Sequence, residues 1–169
     1  MDVPDDYGWV IFIEILIAFQ LTLFTYVFVS PSRLKTFTPR FMKENFTEEF
    51  IEAFHREPDF QGYPDTGSGR FSKKLPLKDW YDFNNAQRIQ WNYLEGAHAP
   101  LVCIPIAGLE FPYWTIGLGA AYIIGRTVYS IGYKMSGSRG RGIGAAILDI
   151  SLLGLLIVAF VSCFYMVYD

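Results

Sequence analysis

Three polar side chains, Arg88, Asn92 and Glu95, have a spacing that could build a binding site. Steps of four and three residues put them on one face of a helix. Arginine binds a carboxylate through two hydrogen bonds, asparagine binds an amide, and glutamate binds an ammonium group. The stripe therefore suits a small ligand that carries these groups, or it forms a polar clamp between helices.

A second polar stripe, formed by Arg126, Tyr129 and Tyr133, lies further along the chain. Tyrosines near the end of a membrane helix are often interfacial anchors, but that role does not explain the arginine. Two stripes at the same membrane depth are what a shared site would need. We expect Asp149, early in the last apolar segment, to pair with Arg126 or with Arg88.

The composition indicates which elements position these stripes. The chain has 169 residues, of which 51% are hydrophobic and 18% aromatic, and its mean hydropathy is +0.22. These values favour a membrane protein over an ordinary soluble domain. We expect one all-α membrane domain over residues 1–169, a four-helix transmembrane bundle with a long, partly helical polar loop over 31–82. The four predicted spans lie at about 8–30, 83–109, 113–134 and 143–168.

The loop contains a predicted amphipathic helix. Asn45 and Glu48 resemble a capping box, with Asn45 as the N-cap. Apolar residues follow at near-helical spacing, namely Phe46, Phe50, Ile51 and Phe54. This helix is expected either to lie on the membrane surface or to dock a partner protein.

Several function classes find no support in the sequence. Cys103 and Cys163 both fall in apolar segments, where buried reduced thiols are the expected state. His55 and His98 have no ligand-spaced partner, so no metal site is predicted. A net charge of −3 does not show the basic excess that is typical of nucleic-acid-binding proteins.

The basic residues predict the topology. Of the 14 lysines and arginines, Arg126 is the only one clearly inside a span, and the rest lie in or beside the loops after spans one and three. The positive-inside rule places both loops in the cytosol or the mitochondrial matrix. The acidic N terminus lacks signal-peptide features, so the first span is expected to be retained. Glu14 within it would contact another helix or subunit, or handle a proton or ligand.

Four separated motifs resemble the MAPEG superfamily, the membrane-associated proteins of eicosanoid and glutathione metabolism, and its microsomal glutathione transferase 3 branch. The motifs are Arg88-x-x-x-Asn92-x-x-Glu95 preceded by Phe83-Asn84 and Gln87, Gly117-Leu118-Gly119, Gly125-Arg126-x-x-Tyr129-x-x-Gly132-Tyr133, and Leu152-Leu153-Gly154-Leu155. Tyr7-Gly8-Trp9-Val10 is also similar to the start of that branch. The match covers about 7–30 and 83–167.

The resemblance implies a homotrimer in the endoplasmic reticulum or a mitochondrial membrane, with sites between neighbouring subunits. It implies a glutathione-dependent transferase or peroxidase that acts on lipophilic electrophiles delivered by membrane lipids. The positions that match glutathione contacts are Arg88, Gln90, Asn92, Glu95, Tyr129 and Tyr133, with Arg126 opposing a carboxylate and Arg33 as a further candidate. Arg139 and Arg141 straddle the position of the arginine that activates the thiol. No metal is implied.

Three positions depart from the family pattern. Leu34 replaces a basic residue, Gly96 a tyrosine, and Gly140 the activating arginine. A rival interpretation is therefore a non-enzymatic accessory subunit of a larger membrane complex, including a mitochondrial respiratory one. A third interpretation, a lipid- or ion-handling protein, requires functional roles for Glu14 and Asp149.

Overall fold

The computed structural model describes residues 4–168, and all of its regular structure is helical. The helices are α1 (Tyr7–Phe24), a π-helical turn (Thr25–Val29), α2 (Ser30–Thr36), α3 (Pro39–Phe54), α4 (Leu77–Gly96), α5 (His98–Glu110), α6 (Pro112–Ser136) and α7 (Gly142–Tyr168). Short 3₁₀ turns occupy Phe60–Gly62, Ser72–Lys74 and Gly137–Arg139. No strand occurs within 4–168, which confirms the all-α prediction; the first three residues of the acidic N terminus and residue 169 lie outside the described part.

Among residues 4–168, two helical stretches are long and apolar enough to cross a membrane. They are Tyr7–Thr36, with 30 residues, and Gly142–Tyr168, with 27 residues. A rise of about 1.5 Å per residue lets each exceed the roughly 30 Å hydrocarbon layer. They contain the first and fourth predicted spans, and their exposed surfaces carry large apolar side chains such as Phe19 and Phe160. These features support the predicted membrane character.

The second predicted span is not one continuous helix, which corrects the sequence interpretation. It begins earlier, at Leu77, and is divided at Ala97 into α4 and α5. Pro100 has no N–H to offer the carbonyl of Gly96, and that carbonyl instead accepts a hydrogen bond of 3.4 Å from the Tyr122 hydroxyl. The interruption follows from this missing helix bond and from its replacement by a neighbouring helix.

The chain folds as two compact units. The helix unit comprises Met1–Leu23 and Trp91–Asp169, and the loop unit comprises Phe24–Gln90. In the helix unit, α6 packs mainly against α7 and α5. Gly119 in α6 lies directly against Ile13 of α1, so a β-carbon there would overlap that side chain. Small residues therefore set the close packing that was predicted for α6.

The turn before α7 lies close against α6, where Gly140 faces Gly132. A β-carbon on either glycine would overlap the backbone carbonyl of the other. We expect Gly140→Ala to lower the free energy of unfolding by about 1–3 kcal/mol, because the overlap is with backbone that cannot rotate away. Gly142→Ala is the matched control, since a β-carbon there meets open space. Thermal unfolding in detergent measures both, and equal melting temperatures would contradict the expectation.

The loop unit has a hydrophobic core of its own. Its buried members are Phe37, Met42, Phe46, Phe71 and Phe83. The rings of Phe46 and Phe71 meet edge to face at 4.8 Å, and those of Phe37 and Phe83 at 5.0 Å. These contacts tie α3 and the start of α4 to the irregular chain between them, so the predicted loop is a packed substructure.

Helix α3 begins earlier than predicted. Its N-cap is Thr38, whose hydroxyl accepts a hydrogen bond from the backbone N–H of Phe41, and Pro39 occupies the first helical position. The proposed capping box at Asn45 is therefore wrong. Asn45 lies inside the helix and donates its side-chain amide to the carbonyl of Phe41 at 2.9 Å.

Two buried charged groups organise the irregular part of the loop unit. The Arg33 guanidinium donates to the carbonyl oxygens of Gln61, at 3.0 Å, and Asp65, at 2.7 Å, and it lies 4.2 Å from the ring centroid of Tyr63. The Asp65 carboxylate accepts hydrogen bonds from the backbone N–H groups of Gly67, Gly69 and Ser72 and from the Ser72 hydroxyl. Backbone groups that would otherwise be buried without partners are thereby satisfied.

These hydrogen bonds predict how the loop unit responds to acid. Burial alone would raise the pKa of Asp65, but the hydrogen bonds from Ser72, Gly67 and Gly69 outweigh it and lower the pKa. A lowered pKa stabilises the fold above the unfolded value of about 4, and that stability is lost as the pH falls through the folded value. Relative to the intrinsic rate at the same pH, hydrogen exchange over residues 61–74 should therefore accelerate below about pH 4. Asp65→Asn should accelerate it already at neutral pH, whereas Asp59→Asn, an exposed site, should not.

Candidate functional site

The elements of the helix unit bring four predicted site residues together. Helix α6 supplies Arg126, Tyr129 and Tyr133, and the last turns of α4 supply Asn92. Helix α6 ends at Gly137, which has φ +61° and returns its N–H to the carbonyl of Tyr133. The 3₁₀ turn that follows brings the chain back against α6.

Arg141 enters the cluster through this return. A β-carbon at Gly144 would overlap the backbone of Tyr129, so only glycine lets the start of α7 approach α6 this closely. Arg141 precedes that contact by one helical turn, and its side chain reaches the Tyr129 hydroxyl. Arg141, rather than Gly140 at the expected position, therefore brings a positive charge to the cluster.

The Tyr129 hydroxyl is hydrogen-bonded to two other residues of the cluster. It accepts a hydrogen bond of 2.8 Å from the Asn92 amide and one of 3.2 Å from Arg141 Nη1. The Arg141 guanidinium also lies 5.9 Å from the ring centroid of Tyr133. Because Tyr129 accepts twice, its own proton is available to an external acceptor such as a bound anion.

Arg126 is the most unusual residue of the cluster. It is 5% exposed, and its hydrogen bonds are a 3.1 Å contact from Nη2 to the Tyr122 hydroxyl and a long 3.4 Å contact from Nη1 to the Asn92 carbonyl. Its Nε atom is buried with no hydrogen-bond partner within the described residues. None of the ion pairs among residues 4–168 includes Arg126. The guanidinium is thus buried without a counter-charge among the described residues, which is energetically costly.

The predicted pairing of Asp149 with either arginine is wrong. Asp149 lies on the exposed side of α7 and takes part in no ion pair within the described residues. The buried face of α7 instead carries small and aliphatic residues such as Gly144, Leu148 and Ser151. One step along the helix separates Asp149 from that face, because neighbouring residues are rotated by about 100°.

A network of buried polar side chains packs against the Arg126 guanidinium. The guanidinium carbon lies 4.5 Å from the ring centroid of Tyr93, which is fully buried. The Tyr93 hydroxyl is 2.7 Å from Gln20 Oε1 of α1, and Gln20 Nε2 donates to the Thr127 hydroxyl at 2.8 Å. The sequence analysis missed Tyr93 and Tyr122. Tyr122 could have been found, because it lies four residues before Arg126 on the same helix face.

Comparison with known families shows the family to which the chain belongs. The sequence model of the MAPEG family matches residues 13–161. The chain belongs to the MAPEG family. MAPEG members in general use glutathione, so the predicted co-substrate is compatible with this chain. Among solved structures, none matches this MAPEG chain significantly.

The other predicted site residues of this MAPEG protein are not part of the hydrogen bonds of the cluster. Glu95 and Arg139 are exposed in the helix unit. The remaining three belong to the loop unit. There Arg88 is exposed, Gln90 donates its side-chain amide to the Thr25 hydroxyl at 2.6 Å, and Arg33 is buried against the carbonyls of Gln61 and Asp65.

Gly96 has a defined place in the site. A β-carbon on Gly96 would lie 3.1 Å from Arg126 Nη2, so a larger residue would press on the guanidinium. The loss of the family tyrosine at this position therefore leaves room for the Arg126–Tyr122 contact.

The described residues contain two free cysteines and no metal-ligand cluster. Within residues 4–168, no group of three or more histidine, cysteine, aspartate or glutamate side chains could hold a metal ion. Cys103 is buried and Cys163 is exposed, and both are free thiols. The side chains of the cluster itself carry guanidinium, hydroxyl and amide groups.

Proposed function

We propose that this protein binds glutathione at the cluster of Arg126, Tyr129 and Arg141 and conjugates it to lipophilic electrophiles, as a member of the microsomal glutathione transferase 3-like branch. The observation that carries the proposal is the buried Arg126 guanidinium, which has an unpartnered Nε and no carboxylate partner in the described residues. A carboxylate of glutathione would supply the missing counter-charge.

The remaining groups suit the thiol end of the tripeptide. Arg141 carries its charge beside the Tyr129 hydroxyl, and that hydroxyl has a proton to donate. A nearby positive charge and a hydrogen-bond donor both favour thiolate over thiol, so they lower the pKa of a bound thiol. Arg141 and Tyr129 are thus the proposed activating pair.

The chemical step needs no further protein group. The glutathione thiolate attacks the electrophilic carbon, a carbon–sulfur bond forms, and the leaving group departs with its electron pair. With a lipid hydroperoxide, the thiolate attacks the terminal oxygen, the O–O bond breaks, and the lipid alkoxide takes a proton from water and leaves as the alcohol. A second glutathione then converts the glutathione sulfenic acid to the disulfide and water.

The active assembly in this proposal is a homotrimer of four-helix membrane bundles in the endoplasmic reticulum or a mitochondrial membrane. Arg88 and Glu95 are exposed, which leaves both side chains available to a neighbouring copy. Membrane lipids deliver the apolar substrate to the site. Mass measurement of the complex in a lipid nanodisc tests the trimer.

Glutathione binding tests the proposed function directly. Calorimetry on the detergent-purified chain should show saturable binding, and the thiolate of the bound tripeptide should absorb in the ultraviolet near neutral pH. Binding without the thiolate signal would overturn the activation step and indicate a ligand-presenting protein. Absence of binding at millimolar glutathione would overturn the whole proposal.

A second candidate function is that of an accessory subunit in a larger membrane complex. The loop unit supports it, because this segment has its own core and ion-pair network and leaves aromatic side chains exposed. Asn92→Ala separates the two candidates. Loss of glutathione binding with intact assembly supports the enzyme, and loss of assembly with glutathione binding unchanged supports the subunit.

A further inference from the structure

The loop unit contains a cleft that the proposed glutathione chemistry does not use. Its volume is about 830 Å³, and it lies between the second half of α3 and the segment 63–71. Volumes of about 300–1,000 Å³ are typical of clefts that bury a bound group. The aromatic residues that line it are Phe50, Phe54, Tyr63 and Phe71.

The lining of the cleft is preorganised. Phe71 is 8% exposed and belongs to the core of the loop unit, and Phe50 packs against it with ring centroids 5.9 Å apart. The opposite wall contains Asp65, whose carboxylate is fixed by four hydrogen bonds. A partner would therefore meet a formed surface and would lose little free energy in ordering it.

Aromatic rings at the mouth of the cleft are exposed. Phe54 is 61% exposed and Tyr63 is 64% exposed. Phe50 and Phe54 form a ring pair at 5.3 Å, so the exposed ring continues the floor of the cleft. Exposed aromatic rings beside a formed cleft are typical of an interface, where such rings serve as anchors.

The charges at the cleft favour a basic occupant. Glu49 is paired with Arg70 at 2.9 Å, and Arg56 is paired with Asp59 at 2.7 Å. Glu52, which also lines the cleft, takes part in no ion pair within the described residues.

The charge imbalance extends along α3. Glu48 lies one turn before Glu52, is exposed, and likewise has no ion pair among residues 4–168. The two carboxylates leave uncompensated negative charge beside the exposed rings, which repels anionic lipid headgroups and attracts lysine or arginine.

We propose that this cleft binds a segment of a partner protein in which an aromatic or large aliphatic side chain is flanked by lysine or arginine. The apolar side chain enters between Phe54, Tyr63 and Phe71, and the basic side chain pairs with Glu52. This occupant uses both features of the surface, whereas a lipid surface would leave the carboxylates unpaired. The proposal does not depend on glutathione binding, so the two can fail independently.

Selection of peptides against the full-length protein in nanodiscs tests the proposal. A random peptide library displayed on phage should yield sequences that place an aromatic or aliphatic residue next to lysine or arginine. We expect Phe54→Ala to weaken the selected peptides by about 10-fold or more. Glu52→Gln should weaken them by about 3-fold or more at low salt, with a smaller effect at high salt.

Matched variants on the same helix control for non-specific effects. Ile51→Ala removes an exposed apolar residue that does not line the cleft, and Glu44→Gln removes an exposed carboxylate outside it. Both should bind the peptides like the wild type. Equal losses in all four variants, enrichment of acidic peptides, or no enrichment would overturn the proposal.

Phe54→Trp reports whether the membrane, rather than a peptide, covers the cleft. The tryptophan emission should shift to the blue when a selected peptide is added, and it should not depend on the lipid composition of the nanodisc. A blue shift caused by anionic lipid in the absence of peptide would overturn the proposal and place α3 on the membrane surface.

Discussion

Replacing Arg141 by glutamine should abolish most of the glutathione transferase activity, with kcat/KM falling by about 100-fold or more. The guanidinium is the positive group that contacts the Tyr129 hydroxyl, and its loss removes the charge that favours thiolate. The thiol pKa should then rise, so the pH–rate profile should move to higher pH. Steady-state rates with a lipophilic aryl halide measure the first effect, and thiolate absorbance measures the second.

Arg139→Gln provides the matched control, because it removes the same charge two residues earlier. Arg139 is exposed in the 3₁₀ turn and is expected to leave activity and the pH profile close to those of the wild type. If the Arg139 variant lost activity while the Arg141 variant kept it, the assignment of the activating charge would be reversed. Equal losses in both variants would indicate a general electrostatic effect of the loop.

Replacing Arg126 by methionine should eliminate glutathione binding while leaving the fold intact or more stable. Arg126 is 5% exposed, and replacing a buried charge by an apolar side chain of similar length is often neutral or stabilising by about 1–4 kcal/mol. Tyr122 keeps its hydrogen bond to the Gly96 carbonyl in the variant. The variant is thus expected to lose glutathione binding without losing stability. If Arg126 had only a structural role, the same substitution would lower the stability of the fold.

Thermal unfolding with and without glutathione measures both effects. At ten times its Kd, glutathione should stabilise the wild type by about 1.4 kcal/mol, and it should not change the melting temperature of the variant. Lys134→Met, at an exposed position of the same helix, should respond to glutathione like the wild type. A clearly lower melting temperature of Arg126→Met without ligand would contradict the anion-site interpretation.

The sequence predicted the first and last apolar helices and α6 because the signals for these elements are local. The apolar length of the first and fourth spans follows directly from hydropathy, and α6 follows from its small residues. The interruption at Ala97 depends on the hydroxyl of Tyr122, which bonds to the carbonyl of Gly96, 26 residues earlier, and hydropathy does not report this contact. The start of α3 was misplaced because Asn45 and Thr38 both resemble N-caps locally, and packing of the core decides between them.

The candidate site was predicted in part for a similar reason. Helical spacing placed Tyr129 and Tyr133 on one face with Arg126, and the structure brings Asn92 and Arg141 to the same hydroxyl. Spacing alone could not distinguish Arg141 from Arg139, since the choice depends on the close approach of two helices at glycines. Nor could it show that Arg33 is enclosed by carbonyl groups of the loop, because these come from residues about 30 positions later.

The local character of the loop unit has a consequence for biosynthesis. The bonds from Arg33 close over 28 and 32 positions, and every member of the aromatic core precedes Gln90. All of these groups have therefore been synthesised before α5, α6 and α7 begin. At about 5–20 residues per second, the ribosome needs several more seconds to complete the chain, which is long compared with the closure of such contacts. The cleft can thus form on the nascent chain, and the basic segment proposed above would be able to bind there before the proposed glutathione site is complete.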